Sequence, residues 1–400
     1  MSNKPIKKVI VIGGGFGGLR ALYNLSEYSF RFEVTLIDKN DYTLEKPGLL
    51  DVVFDNKDSK DVTFLLPPQA RVSNAGFIQA EIKRVEPKEK YVVLDDESKV
   101  KYDYLFIASG QEVDKSAIKG LDEFGYSICN LEDAKSLKER LADFKDEKIV
   151  IGSAKSNLDL NVAYEGVVAE LALNLSDYIK ERELNTKIEI FTPNSDFLNF
   201  IGESSRQKIK ELLKAKNIEI VYNKEVCEVS KDRVEFIDKS YLESNLSIVI
   251  PPYKLPKFIK DSSLASEDKV VTNENMEHIE YDNIYVVGDV NALAKPKMGY
   301  IALHQADVAT TTLIEREKLE NENKVTYSPD IFTILKSKNE GVLIYSNYIF
   351  GGDKDIVWIS PIAKWLKIGF SKEYHYTHGS LPPIKVIEEI EKVIEYLNKK

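Results

Sequence analysis

Residues 8–22 read KVIVIGGGFGGLRAL and decide the fold of the N-terminal part of the chain. The stretch begins with β-branched apolar residues, typical of a strand that is buried on both faces of a parallel sheet. Gly13, Gly15 and Gly18 then follow with the spacing of a dinucleotide-binding turn. One glycine permits the tight bend, one lets a pyrophosphate approach the backbone, and one lets the next helix pack closely on the strand. The N-terminus of that helix is predicted to face the phosphates.

A second apolar strand follows the predicted helix and ends in an acidic residue. It spans Glu33–Ile37, and Asp38 comes 20 positions after Gly18 (38 − 18 = 20). A carboxylate at this point accepts hydrogen bonds from the ribose hydroxyls of an adenosine and repels a 2′-phosphate. The alternative is a βαβ unit in which the glycines serve packing alone.

Two later segments resemble the secondary signatures of the pyridine nucleotide-disulfide oxidoreductase superfamily. Tyr102–Gly110 reads as a strand followed by a turn of small residues, and Ile284–Asp289 reads as a buried strand that ends in Gly-Asp. In that superfamily the aspartate of the second signature hydrogen-bonds the ribityl chain of FAD, and Asp289 matches it. The resemblance therefore implies an FAD cofactor.

These two segments lie far apart in the chain, so we predict that a second domain is inserted between them. Short strands at Ile149–Ile151, Lys187–Phe191 and Leu246–Ile250, with a helix around Val168–Lys180, indicate another α/β unit. The predicted fold is α/β, with two Rossmann-like domains, of which the FAD-binding one is discontinuous, and a C-terminal β/helical region that faces a membrane or a dimer partner. The expected ranges are 1–115 and 271–321 for the FAD-binding domain, 116–270 for the second domain and 322–400 for the C-terminal region.

The turn of the second domain lacks the glycine fingerprint that NADH- or NADPH-binding members of the superfamily carry there. Only Gly152 remains within Ile151–Asn157, so side chains are expected to crowd the place of a pyrophosphate. The next strand ends in Phe191-Thr192-Pro193, with neither an acidic residue for a ribose nor an arginine for a 2′-phosphate. We therefore do not expect a nicotinamide donor.

Three segments are similar to sulfide:quinone oxidoreductases, especially the archaeal type. They are Phe124–Asp133, Ile250–Tyr253 and Pro296–Tyr300. The resemblance implies that sulfide or a small thiol reduces FAD on one side of the ring and that a membrane quinone reoxidises it on the other. In that family one cysteine lies near the flavin 8-methyl group and is often linked to it, and Cys129 matches that position.

The chain departs from that family at its other two cysteines. Tyr164 stands in the place of the second cysteine, and Thr333 stands in the place of the third. Cys227 lies in an ordinary strand context and replaces neither. Because a hydroxyl cannot act as a thiolate nucleophile or carry a sulfane sulfur, the polysulfide-building cycle of the family cannot run unchanged.

Three residues are candidates for catalysis, namely Cys129, Glu170 and Lys297. Glu170 lies on an otherwise apolar helix, and the family places a glutamate near the flavin as a proton acceptor; the alternative is a solvent-facing glutamate. Lys297 comes just before a predicted helix, where a cation would stabilise the anionic pyrimidine end of the flavin; the alternative is a surface lysine. The candidate cofactor-binding residues are Gly13, Gly15, Phe16, Gly17, Gly18, Asp38, Lys39, Pro47, Ser109, Gly110, Gly288, Asp289, Lys297 and Gly299.

Composition argues against several other functions. The formal net charge of −10 disfavours nucleic-acid binding through a basic surface. Two cysteines and four histidines provide neither a disulfide framework nor a metal-ligand cluster, so no metal site is expected. With neither a signal peptide nor a long apolar run, we expect a cytoplasmic protein or one on the cytoplasmic face of a membrane. Few cysteines and abundant lysine and glutamate are typical of a thermophile.

Two helices are predicted near the C-terminus. In Pro361–Tyr374 one face is expected to be apolar and the other basic, which suits either a membrane interface or packing on the protein's own core. The apolar face comprises Ile362, Trp365, Leu366 and Phe370, and the lysines away from it are Lys364, Lys367 and Lys372. The second helix, Pro383–Lys400, is expected to pack on the protein or in a homodimer.

Three functional hypotheses follow. The first is an FAD oxidoreductase of the sulfide:quinone type, with Cys129 beside the flavin and a quinone as acceptor. The second is an enzyme of the type II NADH dehydrogenase kind. The third is an FAD-binding protein whose catalysis is lost or changed.

Overall fold

The computed structural model describes residues 5–145, 148–155, 164–266, 269–293, 296–321, 324–377 and 379. Ser156 and Asn157 of the second turn, and the predicted helix Pro383–Lys400, lie outside these residues. The strands, numbered along the chain, are β1 (Lys7–Ile12), β2 (Phe32–Asp38), β3 (Tyr42–Leu44), β4 (Thr63–Leu65), β5 (Ala75–Gln79), β6 (Ile82–Glu86), β7 (Tyr91–Leu94), β8 (Lys99–Lys101), β9 (Tyr104–Ile107), β10 (Glu112–Val113), β11 (Ile149–Ser153), β12 (Ile188–Phe191), β13 (Ile218–Val221), β14 (Val226–Val229), β15 (Arg233–Phe236), β16 (Tyr241–Glu243), β17 (Leu246–Ile250), β18 (Tyr253–Lys254), β19 (Ile284–Val286), β20 (Ile331–Lys336), β21 (Gly341–Ser346) and β22 (Asp355–Ser360). The α-helices are α1 (Phe16–Ser26), α2 (Leu49–Phe54), α3 (Leu66–Val72), α4 (Leu121–Phe124), α5 (Leu131–Ala142), α6 (Glu165–Glu181), α7 (Glu203–Ala215), α8 (Lys257–Asp261), α9 (Gly299–Arg316) and α10 (Pro361–Tyr376).

The first unit is a parallel five-stranded sheet in the order β5-β2-β1-β9-β19. Side chains of β1 alternate between two cores, as strand geometry requires. Val9 and Val11 pack on the side of α1, with Leu22, while Ile10 and Ile12 pack on the opposite side. The sequence prediction of a strand buried on both faces is therefore confirmed.

The second unit repeats this plan on a smaller scale. Its parallel sheet has the order β13-β12-β11-β17, and α6 follows β11 as a crossover helix. Ile149 and Ile151 of β11 are fully buried against the apolar side of α6. Two Rossmann-like parallel sheets confirm the predicted α/β fold class.

The chain passes between these two units twice, through two neighbouring segments. β10 leaves the first unit and β18 returns to it, and the two form an antiparallel ribbon in which Val113 pairs with Tyr253. Leu255 and Phe258 already pack with Ile10 of the first sheet. Packing on the core of the first unit thus begins before residue 271, and the domain boundaries expected from the sequence stay predictions.

The C-terminal region is a three-stranded antiparallel sheet, β20-β21-β22, covered by α10. Ile331 and Leu335 of β20 pack with the core of the second unit, whereas Phe332 and Ile334 face α10. No helix within the described ranges is both long enough and apolar enough to span a membrane.

The apolar residues predicted on one face of helix α10 lie in two environments. Leu366 and Phe370 pack on the sheet, but Ile362 and Trp365 are exposed by 59% and 65%. Lys367 was predicted to lie away from the apolar face, and its ammonium bonds the buried carboxylate of Glu170. Core packing therefore accounts for Leu366 and Phe370, and contact of Ile362 and Trp365 with a membrane stays a prediction.

Candidate flavin site

The glycine turn after β1 has the geometry that the sequence predicts. Gly13 has φ +99°, and a Cβ there would lie 2.5 Å from the carbonyl oxygen of Ala108. A Cβ on Gly18 would lie 1.9 Å from the carbonyl oxygen of Gly13, so only glycine permits this approach of helix to strand. A Cβ on Gly15 would meet nothing within 4 Å, and Gly15 is exposed. The backbone therefore opens at Gly15, just before the N-terminus of α1.

Asp38 lies at the end of β2, next to this turn. Its carboxylate accepts the backbone amides of Gly14 at 2.7 Å and Asn40 at 2.8 Å. Burial raises the pKa of Asp38, whereas these amides and the neighbouring Lys39 lower it. Lys39 itself is exposed. A carboxylate held by backbone amides and keeping further lone pairs suits a ribose hydroxyl donor.

The other flavin segments reach the same edge because β1, β9 and β19 are neighbouring parallel strands. Ser109 and Gly110 follow β9, and Gly110 has φ +66° with open space where a Cβ would lie. Gly288 and Asp289 follow β19 and form a short 3-10 turn. The amide of Gly288 donates to the side chain of Gln305 on α9, at 2.8 Å, which fixes this turn against the helix. Ligands of such sheets bind at the carboxyl ends of the strands.

Aromatic packing surrounds the turn on its outer side. The ring of Phe16 lies 4.7 Å from that of Tyr374 on α10, and a Cβ on Gly299 would approach Phe16 to 3.1 Å. Gly17 is buried, and a Cβ added to it would lie 3.0 Å from the side chain of Val287. Gly17 and Gly299 thus permit close packing of α1 and α9.

Two segments are expected at the flavin ring: the turn with Pro47, which resembles the residue that packs against the isoalloxazine in the related family, and the segment with Lys297. Pro47 is exposed within a 3-10 turn, Lys46–Gly48. Lys297 lies two residues before α9, and its ammonium donates to the carbonyl of Asn291 at 2.9 Å. Contacts of either residue with a flavin stay predictions.

Cys129 is buried just before α5. Its amide donates to Asp133 at 3.1 Å, and the same carboxylate accepts the hydroxyl of Ser127 at 2.6 Å. Burial raises the pKa of the Cys129 thiol, while a hydrogen bond from Tyr253 and the charge of Lys46 act in the opposite direction. Asp133 therefore fixes the backbone of Cys129, and Tyr253 and Lys46 favour its thiolate, whereas burial and the carboxylate of Asp133 disfavour it.

Tyr253 connects Cys129 with the FAD segments, and the sequence reasoning missed this role. Burial, Cys129, Tyr164 and the carboxylate of Asp289 together raise the pKa of its hydroxyl. The ring of Tyr164 packs against that of Tyr253, with centroids 4.7 Å apart. The residue in place of the family's second cysteine is thus part of the same cluster. Thr333, in place of the third, lies half-buried in β20 opposite Ile344.

Glu170 is buried, so the alternative of a solvent-facing glutamate was wrong. Its carboxylate accepts the ammonium of Lys367 and the amide of Lys336, the latter at 3.0 Å. Burial raises the pKa of Glu170, while Lys367 lowers it. The role of Glu170 as a proton acceptor stays a prediction.

In the second unit, a carboxylate lies at the start of the helix that follows the first strand. The corresponding place in the first unit is the exposed backbone at Gly15. α6 begins at Glu165, which is buried and accepts the hydroxyl of Thr192 and the side-chain amide of Asn194. Thr192 follows β12, at the point where a ribose-binding acid would lie. A carboxylate in the first turn of this helix repels a pyrophosphate. Burial raises the pKa of Glu165.

Two Rossmann-like units are joined by a paired crossover, and the first carries an open glycine turn. This arrangement is typical of flavoproteins that have two dinucleotide-binding folds. A family model described as pyridine nucleotide-disulphide oxidoreductase matches residues 7–311. The chain belongs to this family, and FAD is its cofactor.

Comparison with known proteins indicates which members of this family the chain resembles. The sulfide-quinone reductase of Aquifex aeolicus is 24% identical, with 97% of this chain and 96% of that protein covered. A type II NADH:quinone oxidoreductase of Staphylococcus saprophyticus is 23% identical over 72% of this chain and 75% of that protein. The solved structure of the Aquifex aeolicus sulfide:quinone oxidoreductase superimposes with a TM-score of 0.85 at 23% identity and covers 98% of this chain and 95% of that one. Within its family, the chain is sulfide:quinone oxidoreductase-like.

Replacing Gly15 with valine is expected to abolish FAD binding without unfolding the protein. Gly15 has φ −82° and ψ −167°, which any residue adopts, and its Cβ direction is open. The side chain would occupy the approach of the pyrophosphate and weaken FAD binding at least about a thousandfold, about 4 kcal/mol. The flavin absorbance of purified protein measures this. Gly369→Val, another glycine with open space, should stay yellow; a yellow Gly15→Val would contradict the assignment.

Proposed function

We propose that this protein oxidises sulfide or a small thiol at Cys129 and passes two electrons through FAD to a quinone. The observation that carries the proposal is the cluster of Cys129, Tyr253, Tyr164 and Asp289, which joins a buried thiol to the flavin-binding segments. FAD, when bound, accepts an electron pair from a donor and returns it to an acceptor.

A single cysteine changes how the donor is oxidised. The thiol of Cys129 and one donor thiol lose two electrons and two protons and form a mixed disulfide. A second donor thiol then attacks the donor-derived sulfur of that disulfide. This step releases a disulfide of two donor molecules and restores the thiol of Cys129. The donor thus replaces the family's missing second cysteine. Tyr253 donates a hydrogen bond to the sulfur and favours the thiolate at both steps.

The acceptor is proposed to reach the site from the side of α10. Ile362, Trp365 and Tyr376 are exposed there, and Lys372 of the same helix is exposed as well. Exposed aromatic and aliphatic residues beside a lysine suit a membrane interface, from which a quinone is available. Related proteins are named as quinone reductases, which supports a quinone acceptor here.

Anaerobic titration of the flavin absorbance tests this function. Sulfide is expected to bleach the flavin, and a soluble quinone analogue is expected to restore it. NADH is expected to leave the spectrum unchanged because of Glu165 and the single Gly152. Bleaching by NADH and not by sulfide would favour an NADH:quinone oxidoreductase, and bleaching by neither would favour an FAD-binding protein without this chemistry.

A further inference from the structure

Helix α10 has a polar inner side that the proposed function does not use. Lys367, Ser371 and His375 follow one another at intervals of four residues, so they lie along one side of the helix. This side is distinct from the exposed one that carries Ile362 and Trp365. Lys367 contacts Glu170, whereas Ser371 and His375 reach the first unit.

Both of these residues bond one buried carboxylate. Oε2 of Glu45 accepts the hydroxyl of Ser371 at 2.9 Å and lies 2.8 Å from Nε2 of His375. The Glu45 side chain is 7% exposed and that of His375 is 23% exposed. The three groups therefore form a hydrogen-bonded path from the surface into the interior.

The inner end of this path lies next to the expected ring of the flavin. Glu45 directly precedes Lys46 and Pro47, the turn that we expect to pack against the isoalloxazine. The other groups facing the pair are the buried hydroxyl of Tyr374 and the ring of Phe64, whose centroid lies 5.5 Å from that of His375. The pair is thus enclosed mainly by rings, and Glu45 is its only carboxylate among the described contacts.

We propose that His375, held by Glu45, delivers a proton to the quinone; this rests on the proposed function. A quinone becomes a hydroquinone by taking up two electrons and two protons. The electron pair and one proton come from the reduced cofactor, and the imidazolium of His375 gives the second proton and is restored from solvent. Histidine suits this role because it exchanges protons near neutral pH. Glu45 is a positioning residue that orients the imidazole.

The half-reaction with the quinone isolates this step from the donor. The holoenzyme is reduced anaerobically by light, and its reoxidation is followed with a soluble quinone and with ferricyanide, which takes electrons but no protons. His375→Gln keeps a hydrogen-bond donor for Glu45 but holds no exchangeable ring proton. We expect at least about tenfold slower reoxidation by quinone, and an unchanged rate with ferricyanide. Glu373→Gln, on the same helix, is the matched control.

A further readout separates proton delivery from a structural role. In the NMR spectrum, the His375 imidazole signal, identified by its loss in His375→Gln, should shift when a non-reducible quinone analogue binds. The signal of His278, which bonds Leu264, should stay in place.

Each outcome decides one question. If the wild type is not reoxidised by quinone, the proposed function fails. If the wild type is reoxidised and His375→Gln matches it, the relay is wrong. Equal slowing with quinone and ferricyanide would also overturn the relay and assign the pair to the packing of α10.

Discussion

Replacing Lys336 with methionine is expected to lower the free energy of unfolding by about 3–5 kcal/mol. The Lys336 side chain is only 5% exposed, and its ammonium bonds both Asp51 and Asp55 of the first unit. Lys336 belongs to β20, so this contact joins the C-terminal sheet to α2. Removing the cation would leave Asp51, itself 10% exposed, with Lys57 as its remaining ionic partner.

The pH dependence of this effect has a defined sign. Burial alone would raise the pKa of Asp51, but Lys336 and then Lys57 hold it below its usual value. A depressed carboxyl pKa contributes stability that is present above about pH 4, the unfolded value, and is lost as the pH falls through the folded value. The difference between wild type and Lys336→Met should therefore be largest near neutral pH and shrink in acid.

Urea unfolding measures the change, with Lys338→Met as the control. Lys338 is 58% exposed and pairs with Glu181 at the surface, so its loss should cost at most about 1 kcal/mol. Equal effects of the two substitutions would show that the buried network does not hold the C-terminal region to the first unit.

The parts of the fold that could be predicted from the sequence are those that neighbouring residues determine. The strand before Gly13, the turn and α1 follow from a continuous run in which every residue agrees with one local structure. The strands of the second unit were located in the same way. Sheet order then follows from the preference for parallel βαβ connections.

The contacts between distant segments could not be predicted in this way. Tyr253 is 124 positions from Cys129 (253 − 129 = 124), and they meet because β18 pairs with β10 beside the FAD segments. The aromatic residue after β17 was a usable signal, but nothing in its neighbours specified its partner. Similarly, periodicity placed Lys367 on a helix face without indicating that Glu170 covers it.

Replacing Cys129 with serine is expected to slow bleaching of the flavin by sulfide by about two orders of magnitude, nearly 3 kcal/mol of activation free energy. A serine hydroxyl is not ionised under these conditions and cannot form the mixed disulfide with the donor. FAD content should be unchanged, because the glycine turn and Asp38 lie on other segments. Stopped-flow absorbance under anaerobic conditions gives the rate.

The matched control is Cys227→Ser, which changes the chain's other cysteine. Cys227 is exposed on β14 and bonds the carbonyl of Glu235, so its loss should leave bleaching unchanged. If Cys129→Ser were reduced at the wild-type rate, the thiol would take no part and electrons would reach FAD directly from the donor.

Tyr253→Phe should give an intermediate rate and identify the thiolate as the reactive form. Burial raises the pKa of Cys129, and the hydrogen bond from Tyr253 lowers it, so removing the hydroxyl should raise that pKa further. Because the thiolate is the nucleophile, the wild-type rate should increase with pH beyond the usual cysteine range, and the increase in Tyr253→Phe should begin at a higher pH. At sufficiently alkaline pH the rates of the wild type and Tyr253→Phe should converge, since Cys129 is then ionised in both proteins. A difference that does not change with pH would mean that Tyr253 acts on the position of the sulfur and not on its charge.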